Sequence, residues 1–348
     1  MVELTAGNVP TEENKVTLSF LGDQYLAGSV IDLGIHLIDK TQIVNRNVEV
    51  EKYDDDIKYT FIKDGFQTLT FESDVLESLH PIYRISNELS PHTQGPPDED
   101  ENIQQCINIL QEWIKKKYIE LTGEHNITCV CSRHLIMRIA GCDTPSCQIP
   151  GNPLMHLDYI SFDKAYERQC QEQEKQPLPV ECPTLDKLID VVNIWFPSKI
   201  IEDWPLGFID GENIQIMDYV PIELVVGSKA ASLRHKPDLR VIYKNNMDVP
   251  QVYLFRSATK DASKKGVFHG SFRITDKIIE RRSIELRCCV FKNNLPSDCT
   301  SSSYRYSRSS CCMLGGKLRF SVQRVIGGKS RKKRRTCVRR RTHRKPKF

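Results

Sequence analysis

The sequence lacks the segments that mark secreted and membrane proteins. Its first residues, MVELTAGNVPTEENK, contain no basic start followed by an apolar run, which a signal peptide requires. No apolar stretch approaches the roughly 18 residues that a membrane-spanning helix needs. We therefore expect a soluble, cytoplasmic protein.

Two common catalytic signatures are also missing. The chain contains no G-x-S-x-G, the turn that carries the nucleophile of many hydrolases. It contains no Gly-rich loop after a strand that could cradle a phosphate. These absences argue against a serine hydrolase and against a nucleotide-type binding site.

Acidic residues are missing from the last 20 positions, KSRKKRRTCVRRRTHRKPKF, which hold 12 of the 49 lysines and arginines. The other 328 residues carry 37 basic and 45 acidic side chains, a net charge of −8. An acidic body makes nucleic acid an unlikely partner except through the basic tail. The composition beyond about residue 293 fits a nuclear address and an extension from a misread gene end equally well, and both interpretations stay open.

Cysteines are plentiful but are not spaced like common zinc ligands. Thirteen are present, and six of them lie from Cys288 onward. Cys129-x-Cys131 and Cys142-x4-Cys147 differ from the usual C-x2-C pair, and the first pair lies in an apolar run. Without a secretion signal, disulfides are not expected. We predict buried thiols in preference to structural zinc.

Residues from 127 onward indicate mostly strands. The hydrophobic content of 39% and charged content of 27% provide for a sizeable core. The strand-like segments are rich in β-branched and aromatic residues. They are ITCVC (127–131), LMHLDYISF (154–162), VVNIWF (191–196), LGFID (206–210), LRVIYK (239–244), QVYLFR (251–256) and SIELRCCVF (283–291). Many short strands with irregular spacing predict a mainly β protein with flanking helices and a jelly-roll core.

One amphipathic helix is predicted ahead of these strands. Its apolar stripe follows the 3.6-residue period, and Gly123 is a plausible stop. The stripe consists of Ile103, Cys106, Ile107, Leu110, Ile114, Tyr118 and Leu121. We predict that residues 1–125 supply strands and a packing helix, that 126–292 form the β core, and that 293–348 are a disordered tail. The charged insertion at 163–179 is a candidate helix or lid by position.

His156 and Asp158 form a small H-x-D pattern inside a strand-like segment. Residues two apart on a strand point to the same side, so both side chains can act as ligands of one metal. A non-haem Fe(II) site needs a second imidazole, and two His with one carboxylate leave positions open for a co-substrate and oxygen. The best third ligand is His269 in GVFHGSF, 113 residues beyond His156.

The strand after His269 carries groups that suit a dicarboxylate. RRSIELR places Arg281, Ser283, Glu285 and Arg287 on one face. A guanidinium binds a carboxylate through two hydrogen bonds, and a hydroxyl two residues on can support it. Arg281 and Ser283 are what the far end of 2-oxoglutarate would need. An exposed strand edge with alternating charges would show the same pattern.

Several blocks together resemble the Fe(II)/2-oxoglutarate-dependent dioxygenases, and more narrowly the hydroxylase/methyltransferase group of CmcJ-, AsaB- and gibberellin desaturase-like proteins. The resemblance covers about residues 60–292, and the order and spacing of the blocks agree. The matching blocks are GFQTL (65–69), HLDY (156–159), VVNIWFP with IEDWPLGFID (191–210), LRVIYKNNMDVPQVYLF (239–255), FHGSF (268–272) and RRSIELRCCVF (281–291).

The resemblance implies a double-stranded β-helix with iron on His156, Asp158 and His269. It implies a 2-oxoglutarate site at Arg281 and Ser283, with Arg287 and Tyr243 as further candidates. The implied reaction is oxidation of a small molecule with O2, as hydroxylation or desaturation in secondary metabolism.

Three positions depart from the family pattern. Phe196 stands where the family usually has Arg, Arg256 where an Asp is common, and Leu239 where it has a His. These departures put the recognition of the substrate in doubt more than they do the binding of iron.

Three other interpretations remain open. The group name includes methyltransferases, although the chain lacks the Gly-rich cradle. A catalytically inactive β domain used for binding is a further possibility. Zinc could replace iron on any His and carboxylate set, but the Arg-x-Ser pair favours iron.

Overall fold

The chain divides into two units, Met1–Pro296 and Ser297–Phe348, and every described residue lies in the first. The computed structural model describes residues 15–21, 30–31, 43–54, 56, 58–89, 100–141, 154–159, 161–171, 182–211, 214–215, 218–224, 229–261, 263–277 and 279–293. Apart from Asn293, the predicted tail lies outside the described residues. In the part that the structure describes, no helix is long and apolar enough to cross a membrane.

Strands dominate the described residues. They are β1 (Lys15–Leu21), β2 (Val30–Ile31), β3 (Ile43–Tyr53), β4 (Phe66–Thr70), β5 (Ile127–Cys131), β6 (Ile136–Ala140), β7 (His156–Leu157), β8 (Leu188–Pro197), β9 (Leu206–Ile209), β10 (Tyr219–Leu224), β11 (Lys229–Leu233), β12 (Arg240–Lys244), β13 (Gln251–Thr259), β14 (His269–Ser271) and β15 (Arg281–Lys292). The α-helices are α1 (Phe61–Asp64), α2 (Ser73–Ser78), α3 (His80–Glu88), α4 (Glu101–Thr122) and α5 (Phe162–Tyr166). A π-helical turn, Glu167–Gln171, follows α5 within the predicted insertion.

These strands form two sheets that face each other. One has the order β1-β3-β12-β9-β14-β7-β11-β10-β2, and the other has the order β4-β13-β8-β15-β5, with β6 also on β15. Aromatic rings fill the space between them. The ring centroid of Phe208 on β9 lies 4.9 Å from that of Tyr253 and 5.4 Å from that of Phe255, both on β13. The prediction of a mainly β jelly roll with flanking helices is confirmed.

The outer face of the smaller sheet packs against the helices. Asp100 caps α4 by accepting a hydrogen bond from the backbone N–H of Asn102, and Gly123 ends it with a left-handed φ of 75°. The predicted helix is therefore confirmed, including its stop. Its buried residues are Ile103, Cys106, Ile107, Leu110, Trp113, Ile114 and Tyr118.

The larger sheet curls until its edge strand β1 reaches the segment before β7. Ser19 bridges Leu154, and the backbone N–H of Met155 donates to the carbonyl of Ser19. The curl encloses a second apolar core that includes Val16, Leu18, Phe20, Leu157, Val241, Phe268 and Phe272. Leu239, one of the departures from the family pattern, packs in this core, which explains its apolar character.

The other two departures lie on the helix side of the smaller sheet. The ring of Phe196 packs 5.2 Å from that of Phe71. Arg256 is buried, and its Nε lies 3.5 Å from Asp190, which also accepts a 2.6 Å hydrogen bond from Tyr118 on α4. The expectation that Phe196 and Arg256 affect substrate recognition is wrong, because both face the helices.

Two sequence expectations fail locally. The segment 154–162 was expected to be one strand, but β7 has only two residues and α5 begins at Phe162. The expectation of thiols without disulfides is also wrong for one pair. The antiparallel register places Cys288 opposite Cys131, and the two form a disulfide. Cys129 remains a thiol, and burial raises its pKa to about 12.

Replacement of Arg256 tests the buried ion pair. Arg256→Met leaves Asp190 buried without its cation, so we expect the free energy of unfolding to fall by about 3–5 kcal/mol. Lys292→Met removes an exposed pair with Glu124, and we expect a loss below about 1 kcal/mol. Urea unfolding followed by circular dichroism measures both. Equal losses would show that the buried ion pair contributes no more to the free energy of unfolding than the exposed one.

Candidate metal centre

Neighbouring strands bring His156, Asp158 and His269 together. His269 on β14 lies directly opposite His156 on β7, and their ring centroids are 4.6 Å apart. Asp158 follows β7 immediately, and its oxygens lie 4.0 Å from His156 Nε2 and 3.9 Å from His269 Nε2. One ligand atom from each residue lies within 4.8 Å of the others. All three side chains are buried.

Backbone carbonyls orient both imidazoles. His156 Nδ1 lies 2.8 Å from the carbonyl of Leu154, and His269 Nδ1 lies 3.1 Å from that of Val267. A carbonyl only accepts, so each Nδ1 carries a proton, and each Nε2 is the ring nitrogen nearer to the carboxylate. Burial, helped by the neighbouring His269, lowers the pKa of His156 to about 3. Both features favour the neutral imidazole that a metal binds.

Three side chains hold the carboxylate of Asp158. Asn193 Nδ2 donates to Oδ2 at 2.7 Å and the hydroxyl of Ser257 donates to the same oxygen at 3.1 Å. Arg287 Nη2 donates to Oδ1 at 2.6 Å. Burial would raise the pKa of Asp158, but the charge of Arg287, the neighbouring imidazoles and the hydrogen bond from Asn193 together lower the pKa well below its usual range. The carboxylate is therefore ionised and fixed in direction before any metal binds.

Arg287 is bonded to two carboxylates. Its Nε donates to Glu285 at 2.7 Å while its Nη2 holds Asp158. Burial opposes its charge, yet the two carboxylates raise its pKa above the usual value. A guanidinium shared between two carboxylates is not available for a third. The prediction that Arg287 contacts 2-oxoglutarate is therefore replaced by a role in positioning Asp158.

Arg281 and Ser283 are different, because parts of both side chains are buried without partners. Arg281 Nη1 donates to the carbonyl of Trp204 at 2.9 Å, and the guanidinium lies 5.6 Å from the Trp195 ring. Among the described residues, Arg281 Nε and the hydroxyl of Ser283 have no hydrogen-bond partner. Burial lowers the pKa of Arg281 to about 9, assisted by Arg138. Buried orphan donors of this kind indicate a missing anionic ligand.

Tyr243 lies away from the site. Ile242 pairs with Phe208, which pairs with His269, so these three share one face of the sheet. Successive side chains on a strand alternate, and Tyr243 therefore points into the second core. Its ring packs 5.5 Å from that of Phe272. The structure thus contradicts the predicted contact of Tyr243 with the co-substrate.

Three residues near the site were not predicted. Arg138 lies opposite Ser283, and its strand neighbours Met137 and Ile139 pack towards the helices, so Arg138 faces the interior. It was missed because strand β6 was not predicted. Asn193 and Ser257 were missed as well. The single polar residue in the apolar run VVNIWF could have revealed Asn193, because buried amides are normally hydrogen-bonded.

The donor set fits Fe(II). A set of two imidazoles and one carboxylate is typical of non-haem Fe(II) sites, in which it leaves positions open for other ligands. The orphan donors of Arg281 and Ser283 face the same interior and fit an anionic partner of the metal. The geometry therefore combines a metal site with a carboxylate site.

Comparisons with known proteins agree with this architecture. Residues 140–291 match the model of a family described as an oxidoreductase/YMDC permease-like domain. A solved structure of the iron and alpha-ketoglutarate-dependent endoperoxidase NvfI is 13% identical, with a TM-score of 0.56, over 80% of this chain and 98% of that one. A second NvfI structure is 14% identical over the same shares, with a TM-score of 0.55. The chain has the double-stranded β-helix fold.

None of the curated proteins compared with the chain matches it. Identities of 13% and 14% establish the fold of this chain and not its reaction, because one fold hosts many activities. The reaction has to be argued from the site.

Asn193 is predicted to support metal binding without touching the metal. Asn193→Ala removes a donor that orients Asp158, and such losses typically weaken metal binding about 10- to 100-fold. Titration with Co(II) or anaerobic Fe(II) measures the Kd. Asn126→Ala, which removes an amide bonded to the carbonyl of Asn293, is the control and should not change it. An unchanged Kd for Asn193→Ala would refute the role.

Proposed function

We propose that the protein is a non-haem Fe(II)/2-oxoglutarate-dependent oxygenase that oxidises a small molecule. One observation carries the proposal. The interior that holds His156, Asp158 and His269 also contains the buried, incompletely bonded pair Arg281 and Ser283. The iron and alpha-ketoglutarate in the name of the similar NvfI structures support the same pair of cofactors.

Iron, when bound with 2-oxoglutarate, would supply the activation of O2 that oxidises a C–H bond. The chain would hold the metal through His156, Asp158 and His269. Three ligands leave the remaining positions of the metal for the co-substrate and oxygen. Asn193, Ser257 and Arg287 would keep Asp158 in the position that the metal requires.

The distal carboxylate of 2-oxoglutarate would bind at Arg281 and Ser283. A carboxylate there accepts hydrogen bonds from Arg281 Nε and from the hydroxyl of Ser283, which lack partners among the described residues. Charge-assisted hydrogen bonds are about twice as strong as neutral ones. The same contact would compensate a guanidinium that is only 2% exposed. Arg138 adds a further positive charge to this part of the interior.

Aromatic side chains would keep water away from the reacting groups. The ring of Phe255 lies 4.8 Å from that of His269, and Trp195 lies beneath Arg281. Tyr159 stacks against Arg287 at 6.0 Å from the guanidinium and is fixed by Gln169 in the π-helical turn. A dry interior strengthens each electrostatic contact and limits side reactions.

The substrate class remains a small molecule, with hydroxylation or desaturation as the outcome. The sequence blocks quoted above resemble those of the CmcJ- and AsaB-like group, which supports a substrate of secondary metabolism. No contact in the described residues favours a methyltransferase. An inactive binding domain would have no reason to keep Arg281 and Ser283 buried without partners.

Succinate formation tests the proposed activity. The protein is incubated with Fe(II), 2-oxoglutarate, O2 and metabolite extracts, with His269→Ala as the control. We expect succinate from the wild type above that control. Under anaerobic conditions, Fe(II) and 2-oxoglutarate should also give a visible charge-transfer absorption. If neither succinate nor the absorption is observed, the proposal fails and the binding-domain interpretation remains.

Arg281→Met should weaken 2-oxoglutarate binding while leaving the metal site intact. Hydrogen bonds to charged groups contribute about 1.5–3 kcal/mol, which corresponds to a rise in Kd of about 10- to 100-fold. Titration of the Co(II)-loaded protein measures it. Arg282→Met on the same strand is the matched control, because Arg282 points to the carbonyls of Ser86 and Leu89. Equal effects of both variants would contradict the assignment.

A further inference from the structure

Trp204 has a backbone conformation that its residue type disfavours. It lies between β8 and β9, and its φ is 57°, in the left-handed region. A bulky residue rarely adopts this region and does so only where its surroundings enforce it. Outliers of this kind are concentrated at functional sites. Trp204 belongs to the segment IEDWPLGFID, which leads into β9 beside the strand of His269.

The conformation directs the carbonyl of Trp204 at Arg281. Arg281 Nη1 donates to this carbonyl at 2.9 Å. Within the described residues, it is the only hydrogen-bond acceptor of the guanidinium. The opposite edge of the guanidinium keeps Nε unpartnered. A rotation of the Trp204 peptide would therefore remove the contact that determines where Nε points.

Asp203, the residue before Trp204, is bonded to a neighbouring segment. It is 1% exposed, and its Oδ1 accepts a hydrogen bond from the backbone N–H of Ile274 at 2.8 Å. Its Oδ2 lies 3.7 Å from Arg273 Nε. Residues 273 and 274 belong to the connection from β14 to β15. Asp203 thus ties the turn at Trp204 to the segment that leads from the strand of His269 to the strand of Arg281.

A glycine receives the side chain of Trp204. Gly141 has a φ of 74°, and a Cβ at this position would lie 3.4 Å from Trp204 Cδ1 and 2.3 Å from the carbonyl oxygen of Ile279. The indole therefore lies close to the backbone of Gly141, a position where a residue with a Cβ would clash with the carbonyl oxygen of Ile279. The side chain of Trp204 and the carboxylate of the preceding Asp203 therefore each contact a neighbouring segment.

We propose that Asp203 and the left-handed Trp204 form a positioning device that aims Arg281 at the distal carboxylate of the co-substrate. The inference rests on the proposed function, because it presupposes that Arg281 binds 2-oxoglutarate. Neither residue contacts the metal ligands. A loop clamp with a purely structural role would change stability but would not selectively change 2-oxoglutarate binding.

Two substitutions of Trp204 separate backbone conformation from side-chain packing. Glycine adopts a positive φ without strain, whereas valine does not. We expect Trp204→Val to raise the Kd for 2-oxoglutarate at least about tenfold more than Trp204→Gly does. Packing alone predicts the reverse order, because valine fills more of the space of the indole. The reverse order would overturn the proposal.

Asp203→Ala and Asp203→Asn test the carboxylate. We expect Asp203→Ala to raise the Kd for 2-oxoglutarate about tenfold or more, with the Kd for Co(II) within about threefold of the wild-type value. Asp203→Asn keeps an acceptor oxygen and should recover part of the binding. Asp261→Ala removes another carboxylate that accepts from a loop N–H, that of Ser263, and should change neither Kd.

The measurements distinguish failure of this inference from failure of the proposed function. Each protein is loaded with Co(II) and titrated with 2-oxoglutarate by calorimetry, with Arg281→Met beside it. Normal binding by Asp203→Ala together with weak binding by Arg281→Met overturns the positioning device alone. Absent binding by the wild type, or normal binding by Arg281→Met, overturns the proposed function itself. If Asp203→Ala does not fold, the comparison of Trp204→Val with Trp204→Gly tests the positioning device instead.

Discussion

The ion pair between Arg287 and Asp158 is the contact on which the rest of the site depends. It joins the last core strand to the residue that follows β7, and Glu285 and Asn193 close the network. Buried charges are costly unless each is paired and hydrogen-bonded. Each charged side chain of this network is paired or hydrogen-bonded, so the interior tolerates these charges, although Asn193 Oδ1 has no hydrogen-bond partner among the described residues. The carboxylate of Asp158 can therefore remain ionised in an apolar core, in a position where it could bind a metal.

Much of the site followed from local pattern. The H-x-D pair, the second histidine and the Arg-x-Ser pair predicted residues that the fold indeed brings to one interior, because period two on a strand fixes which side chains share a face. The predicted contact of Tyr243 with the co-substrate failed because of the same alternation along β12. The pattern states which residues alternate, but only the pairing of Ile242 with Phe208 shows which face meets His269. Arg138 could not be predicted, because the sequence of β6 does not by itself indicate a strand.

The helix layer and the site use the two faces of one sheet. On β8, Asn193 and Trp195 face the metal ligands while Phe196 packs among the helices. On β13, Ser257 bonds Asp158 while Arg256 bonds Asp190. Neighbouring residues on these strands are therefore under different constraints. Those that face the interior are constrained by the chemistry of the site, and those that face the helices are constrained by packing. Departures from the family pattern at Phe196 and Arg256 belong to the second kind.

The alternation on β15 has an evolutionary consequence. Arg281, Ser283, Glu285 and Arg287 face the interior, while Ile284 and Leu286 pack among the helices. Insertion or deletion of one residue within β15 would exchange these sets and place guanidiniums in the apolar layer. Length changes are thus barred from this strand. Point substitutions on the interior face, and length changes in the segments between strands, leave this alternation intact.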